Sequence, residues 1–260
     1  MMNDANLVKS LGEIAIKAGA AINEIYAEEF NVETKSDGSP VTIADETAEK
    51  IILAGLNDIA PYIPVLAEES ASAGNIDEIG AKLGSEFFLV DPLDGTREFV
   101  NRTGEFTVNI ALIRDGYPVL GVVYTPAQNV LYAGAKDYGA TKSTGNGPAE
   151  KITTRDVPDS GLIAVASRSH RSPETETLLQ EMQVKDFVAA GSSLKFCLVA
   201  EGKADTYPRL GRTMEWDTGA GQAVLEAAGG RVLDYPGGER LAYGKRERGF
   251  DNPYFICHGR

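Results

Sequence analysis

The chain has 260 residues, 43% of them apolar, and a formal net charge of −13. The apolar content suffices for a sizeable core, in one large domain or two closely packed halves. The acidity argues against a broad nucleic-acid-binding face but not against a small anionic substrate, because bound cations reverse the sign of charge inside a pocket.

Leu7, Leu11, Ile14, Ala18, Ile22 and Ile25 recur at helical spacing, with Asn3 or Asp4 placed to cap the first turn. The stretch from Met1 to Lys17 has no basic start and no unbroken apolar run, so no signal peptide is expected. No segment approaches the roughly 18 apolar residues of a membrane span, and the expectation is a soluble, cytoplasmic protein. A polar loop, Lys35-Ser36-Asp37-Gly38-Ser39-Pro40, precedes a second helix in which Thr42 and Asp45 resemble a capping box. Its apolar stripe is Ala44, Ala48, Ile51, Ile52, Leu56 and Ile59. Ile63 to Ala67 reads as a short strand ending in Glu68-Glu69-Ser70, and residues 71–85, small and polar, read as a mobile loop. Phe87-Phe88-Leu89-Val90 reads as a buried strand that ends at the loop Asp91-Pro92-Leu93-Asp94-Gly95-Thr96.

Phe106 to Ile113, Pro118 to Tyr124, Val130 to Ala135 and Gly139 to Lys142 are separated by turn signals such as Asp115-Gly116, which predicts an antiparallel meander. The Gly-rich Ser143 to Pro148 is the best boundary between an N-terminal half, 1–145, and a C-terminal half, 146–260, packed as one unit. The second half predicts a strand at Leu162 to Ala166, a helix at Pro173 to Met182, and a strand at Phe187 to Ala190. A helix at Ser192 to Glu201 and a strand at Asp205 to Tyr207 follow. Another helix runs from Asp217 to Ala228, stopped by Gly229-Gly230, before strands at Arg231 to Asp234 and Tyr254 to Cys257. Cys197 and Cys257 lie far apart in apolar surroundings and read as buried free thiols.

Three segments place acids where an apolar strand ends or a helix begins: Glu68, the pair Asp91 and Asp94, and Asp217 after Glu215-Trp216. Singly, each has an ordinary reading. Asp217 fits an N-cap, Glu68 and Glu69 a solvated strand end, and the Asp91 segment a tight turn. Together they fit one centre for a hard divalent cation, which takes oxygen ligands and shares its remaining sites with water and phosphate. Two histidines, His170 and His258, leave little material for a Ser-His-Asp or Cys-His nucleophile.

Glu68-Glu69-Ser70, Asp91-Pro92-Leu93-Asp94-Gly95-Thr96 and Trp216-Asp217-Thr218-Gly219-Ala220-Gly221 resemble, in order, the signature motifs of the inositol monophosphatase-like superfamily of Mg²⁺-dependent, lithium-sensitive phosphatases. The resemblance implies a mixed α/β fold, a layered αβαβα sandwich of the inositol monophosphatase/fructose-1,6-bisphosphatase type. It also implies two or three Mg²⁺ ions held by Glu68, Asp91, the Leu93 carbonyl, Asp94 and Asp217. By the same resemblance Thr96 pairs with Asp45 to orient and deprotonate the attacking water, with Glu68 also catalytic; on the residues alone Asp45 reads equally as the capping-box acid. The Gly95-Thr96 segment is placed to present backbone N–H groups to phosphate. One departure stands out: Gly219 occupies a position where the family usually has Ala.

The 35–42 loop, Gly104-Glu105-Phe106-Thr107-Val108-Asn109, Ser167-Arg168-Ser169-His170, Gly191 to Cys197 and Tyr207-Pro208-Arg209 are similar to the 3′(2′),5′-bisphosphate nucleotidase branch of that superfamily. The branch implies hydrolysis of the 3′-phosphate of adenosine 3′,5′-bisphosphate, action on the sulfated analogue 3′-phosphoadenylyl sulfate, and a place in sulfur assimilation. The uncleaved phosphate requires cations. Ser192, opening a predicted helix, forms an anion site with nearby N–H groups, Lys195 projects to the same side one turn on, and Arg209 clamps phosphate with two parallel hydrogen bonds. His170 stacks on the base or hydrogen-bonds to it, and Gly95, Thr96 and Asp217 also touch substrate. An inositol or sugar phosphate monoesterase, or a non-catalytic nucleotide or metal sensor, are the alternative readings. Monomer and homodimer both remain open, and peripheral inner-membrane association, which the branch allows, has no visible amphipathic support.

Overall fold

A computed structural model describes residues 3–34, 40–74, 76–166 and 173–260 of the chain. Helix α1 (Asp4–Tyr26) is capped by the Asn3 side chain, which accepts from Asn6 N. Strands β1 (Val32–Thr34) and β2 (Pro40–Thr42) form a small hairpin that leads into α2 (Ile43–Ile59). Strand β3 (Val65–Ala67) is followed by α3 (Glu68–Ala73) and α4 (Ile76–Lys82). Residues 71–85 are thus largely helical, not a loop. Leu83 is buried and Ile76 and Ile79 pack on the core, so a three-to-four spacing of apolar residues was present beneath a polar composition.

Strand β4 (Glu86–Asp94) pairs with β5 (Thr107–Arg114) on one side and, in parallel, with β3 on the other. The expected break at Asp91 does not occur. The strand runs on to Asp94, with a register irregularity between Asp91 and Asp94, and the short α5 (Thr96–Val100) follows. Gly95 is its entry residue at φ +91°, a conformation that a side chain would strain. The predicted meander is present as β5, β6 (Tyr117–Thr125), β7 (Val130–Ala135) and β8 (Gly139–Thr144). Strand β9 (Glu150–Ile152) ends this seven-stranded sheet, ordered β3 to β9.

The second sheet contains β10 (Ile163–Ala166), β11 (Asp186–Ala189), β12 (Thr206–Arg209), β13 (Arg231–Asp234) and β14 (Phe255–His258), in the order β11-β10-β12-β14-β13. Helices α6 (Pro173–Glu181), α7 (Leu194–Ala200) and α8 (Gly219–Ala227) complete the chain. Two helical boundaries differ from expectation. Ser192 lies ahead of α7, at φ +44°, and does not open it. Asp217 closes a 3₁₀ turn, Glu215–Asp217, and does not cap α8.

Alternation along the strands explains the layers. Val108, Ile110 and Leu112 of β5 face the buried stripes of α1 and α2 in one apolar core. Ala111 and Ile113 face a second core shared with α7, α8 and the five-stranded sheet. The α6 helix packs against β12, giving the layered αβαβα sandwich. Helix α8 lies so close on the first sheet that a Cβ built at Gly134 would sit 2.7 Å from Val224 Cα. The first residue of α8, Gly219, faces Leu89 of β4 and Ala111 of β5. Cys197 and Cys257 are buried free thiols, and burial pushes both thiols well up.

Candidate metal and phosphate site

Glu68 opens α3, Asp91 lies in β4 and Asp217 closes the 3₁₀ turn before α8. Their carboxylates meet, one oxygen of each lying within 4.8 Å of the other two. Asp91 is only 1% exposed. Burial first, and then the charges of Glu68, Asp94 and Asp217, push its carboxyl well above the usual range. Asp217 is raised in the same way, by burial and by Asp94 and Glu68. Converging buried carboxylates disfavour their own ionised forms, and a hard cation taking oxygen ligands relieves that repulsion. The donor set fits Mg²⁺ in kind.

Asp94 stands beside this trio rather than within it. Its Oδ2 accepts from Ser193 N at 2.6 Å and from Asn109 Nδ2 at 3.4 Å. Burial raises its carboxyl while the Lys195 charge pulls the other way. The Leu93 N–H donates to Asp91 Oδ1 at 3.0 Å, and the Leu93 carbonyl accepts from the Thr96 hydroxyl at 3.4 Å.

Asp45 is the capping-box acid, and it also contacts Thr96. One carboxylate oxygen accepts from the backbone N–H and hydroxyl of Thr42, each at 2.8 Å, as a capping-box acid does. The other accepts from the Thr96 hydroxyl at 3.2 Å. The cap therefore fixes the carboxylate that holds Thr96.

A cavity of about 230 Å³ adjoins the acids, lined among others by Gly95, Ser192, Lys195, Tyr207 and Arg209 together with Asp94 and Asp217. Lys195 is 7% exposed, with its ammonium 5.5 Å from the Tyr207 ring centroid. Burial pushes it down to about 8, against the pull of Asp94 and with the push of Arg209. Ser192 Oγ and Arg209 Nε are buried and have no hydrogen-bond partner among the described residues. His170, with Ser167 to Ser169 and residues 35–39, lies outside the described residues.

Sequence reasoning missed the residues that hold these groups. Glu49, buried in α2, accepts from Glu69 N, from Ser70 N and from the Ser70 hydroxyl. It caps α3 from twenty residues upstream, where Ala67 has no side chain able to do so. Its position, one helical turn after Asp45 inside an otherwise apolar stripe, was the available signal. Buried Glu215 likewise takes the N–H groups of Gly244 and Lys245 and the Lys245 ammonium, which fixes the turn carrying Asp217. A Cβ added at Gly219 would sit 3.0 Å from Leu89 Cδ1 and 3.3 Å from Ala111 Cβ, a tight fit at the start of α8.

The sequence profile of the Inositol monophosphatase family matches residues 4–254, and the chain belongs to that family. Among characterised relatives, the 3′(2′),5′-bisphosphate nucleotidase CysQ of Escherichia coli O157:H7 is 46% identical over 245 residues, 94% of this chain and 96% of the relative. The crystal structure of CysQ from Bacteroides thetaiotaomicron superposes with a TM-score of 0.84 at 40% identity, covering 98% of this chain and 97% of that one. The inositol monophosphatase of Anabaena (Nostoc) sp. PCC 7120 superposes with a TM-score of 0.74 at 26% identity, covering 99% and 92%.

Proposed function

We propose that the chain is a Mg²⁺-dependent phosphohydrolase that removes the 3′-phosphate of adenosine 3′,5′-bisphosphate, giving AMP and phosphate. One observation carries the substrate choice: buried Ser192 Oγ and Arg209 Nε, both lacking partners among the described residues, flank Lys195 in a cavity that also reaches Asp94 and Asp217. Unmade hydrogen bonds at buried donors are costly, and an anion with several acceptor oxygens satisfies them. A substrate with two phosphates meets both requirements, one phosphate at the carboxylate centre and the other at Ser192, Lys195 and Arg209. The names of the CysQ relatives support the same reading.

In this reading Glu68, Asp91, Asp217, Asp94 and the Leu93 carbonyl hold the cation, which when bound supplies charge neutralisation for the phosphate and acidifies water. The chain's own residues do the rest. Asp45 orients the Thr96 hydroxyl, and the pair aligns the attacking water and takes its proton. Gly95 and Thr96 bring backbone N–H groups to the phosphate at the end of β4. His170 is assigned to the base, and the sulfated nucleotide fits the same subsites. No helix among the described residues is long and apolar enough to cross a membrane.

Phosphate release from adenosine 3′,5′-bisphosphate, measured with Mg²⁺ beside inositol 1-phosphate and fructose 1,6-bisphosphate, tests the proposal. The bisphosphate nucleotide is expected to give the highest kcat/KM. A wide preference for inositol 1-phosphate would remove the nucleotide assignment.

A further inference from the structure

Ser193 joins the two halves of the site, although neither the cavity nor the acidic trio includes it. Its N–H donates to Asp94 Oδ2 at 2.6 Å, and its hydroxyl donates to the backbone carbonyl of Asp217 at 2.6 Å. The same hydroxyl accepts from Asn109 Nδ2 at 3.0 Å, and Nδ2 also reaches Asp94 Oδ2 at 3.4 Å. Both residues are 1% exposed. Asn109 pairs across the sheet with Asp91, on the strand face that carries Ala111 and Ile113 toward α8. A closed ring of hydrogen bonds therefore joins Asp94, Ser193 and Asn109, the strand partner of Asp91, and the Ser193 hydroxyl ties that ring to the Asp217 backbone.

We infer that Ser193 and Asn109 are positioning residues that set the separation of the Asp94 and Asp217 segments and so tune divalent-cation affinity. The physical reason is the cost of the arrangement. One carboxylate oxygen each of Glu68, Asp91 and Asp217 lies within 4.8 Å of the other two, and like charges that close repel, so a brace is needed to keep the segments together when no cation is present. Removing the serine hydroxyl leaves the Asp94 contact, which uses backbone, but frees the Asp217 carbonyl and leaves the Asn109 amide only its longer contact with Asp94 Oδ2. The expected effect is that of losing an outer-shell partner at a metal site, about 10- to 100-fold in affinity. Ser193 also adjoins Ser192 and precedes Lys195 by two residues, so the segment that holds the second phosphate is the segment that braces the carboxylates.

The inference rests on the divalent-cation reading of the site, and calorimetric titration of the purified protein with Mg²⁺, without substrate, tests the two separately. The wild-type chain is expected to bind Mg²⁺. Ser193→Ala is expected to bind it about tenfold more weakly, with a thermal midpoint in EDTA close to wild type and a matching rise in the Mg²⁺ concentration giving half-maximal kcat. Asn109→Ala is expected to weaken binding in the same direction, and serves if Ser193→Ala does not fold. The double variant should lose no more than the larger single effect, as members of one network do. A folded Ser193→Ala or Asn109→Ala chain with wild-type Mg²⁺ affinity overturns the inference alone. Absence of Mg²⁺ binding by the wild-type chain overturns both it and the cation reading.

Discussion

The Thr96 hydroxyl donates to Asp45 across 51 residues of sequence, at 3.2 Å, while the opposite oxygen of the same carboxylate is held by the Thr42 backbone and hydroxyl at the start of α2. A helix cap thus serves as the mount for a group in the site. Thr96→Val keeps the shape and removes the hydroxyl, so kcat should fall by about 10²- to 10⁴-fold, the usual contribution of positioned proton transfer. The thermal midpoint should stay within a few degrees of wild type. Steady-state kinetics beside a melting curve checks this; an active Thr96→Val enzyme would take Thr96 out of the chemistry.

Lys195 and Arg209 separate the two phosphates. Lys195→Met and Arg209→Met should each raise KM for adenosine 3′,5′-bisphosphate by tenfold or more, in line with the loss of a charge-assisted hydrogen bond worth about 1.5–3 kcal/mol. Turnover of inositol 1-phosphate, which has no second phosphate, should change little. Equal losses on both substrates would place these cations at the cleaved phosphate instead.

Burial brings the Lys195 ammonium down to about 8. The charged form attracts the anion and exists below that value, so kcat/KM for the bisphosphate nucleotide should decline as pH rises through about 8. kcat/KM reports groups of the free enzyme. A pH profile of Lys195→Met should lack this limb. A wild-type profile flat to pH 10 would contradict the assignment.

Asp91 has its folded-state pKa raised above the unfolded value, so the folded chain binds more protons than the unfolded chain in the window between the two. The sign is therefore negative: in EDTA, stability contributed by this group falls as pH rises from about 4 upward. Mg²⁺ should restore it near neutral pH, by about 2.7 kcal/mol at one hundred times Kd. Asp91→Asn should flatten the pH dependence in EDTA and abolish the Mg²⁺-induced rise in melting temperature. Melting curves at pH 5 and pH 8, with and without Mg²⁺, decide the matter.

Glu49→Gln keeps the size of the side chain but weakens the acceptor that holds Glu69 N, Ser70 N and the Ser70 hydroxyl. Loss of a cap costs about 1 kcal/mol. Because Glu68 opens the same helix, Mg²⁺ affinity should drop together with stability. Calorimetry showing unchanged affinity in a destabilised chain would make Glu49 purely structural.

Much of the architecture was legible because burial imposes periods on a sequence. The 3.6 stripe of Leu7 to Ile25 gave α1, and alternation with Asp115-Gly116 turns gave the β5 to β8 meander. The misreadings fall where a residue's partner lies far away. Residues 71–85 read as a loop because their few apolar side chains find their core only in the fold. Asp91 reads as the end of a strand because an isolated buried acid is costly, yet the pairing of Asp91 with Asn109 carries the strand onward. Ser192 reads as the opening of a helix, but it adopts φ +44° ahead of α7, in the loop after β11.

Local periodicity and side-chain chemistry, which need no distant partner, were enough for α1, α2, α6, the meander and the identity of the acids. The sequence by itself did not determine that Glu68, Asp91 and Asp217, from three separate elements, share one point in space. That was decided by tertiary structure: α8 lies close over Gly121 and Gly134 of the sheet, and Glu49, Ser193 and Glu215 hold the three acidic segments by hydrogen bonds. Repelling carboxylates stay together only when the packing around them is stiffer than their repulsion.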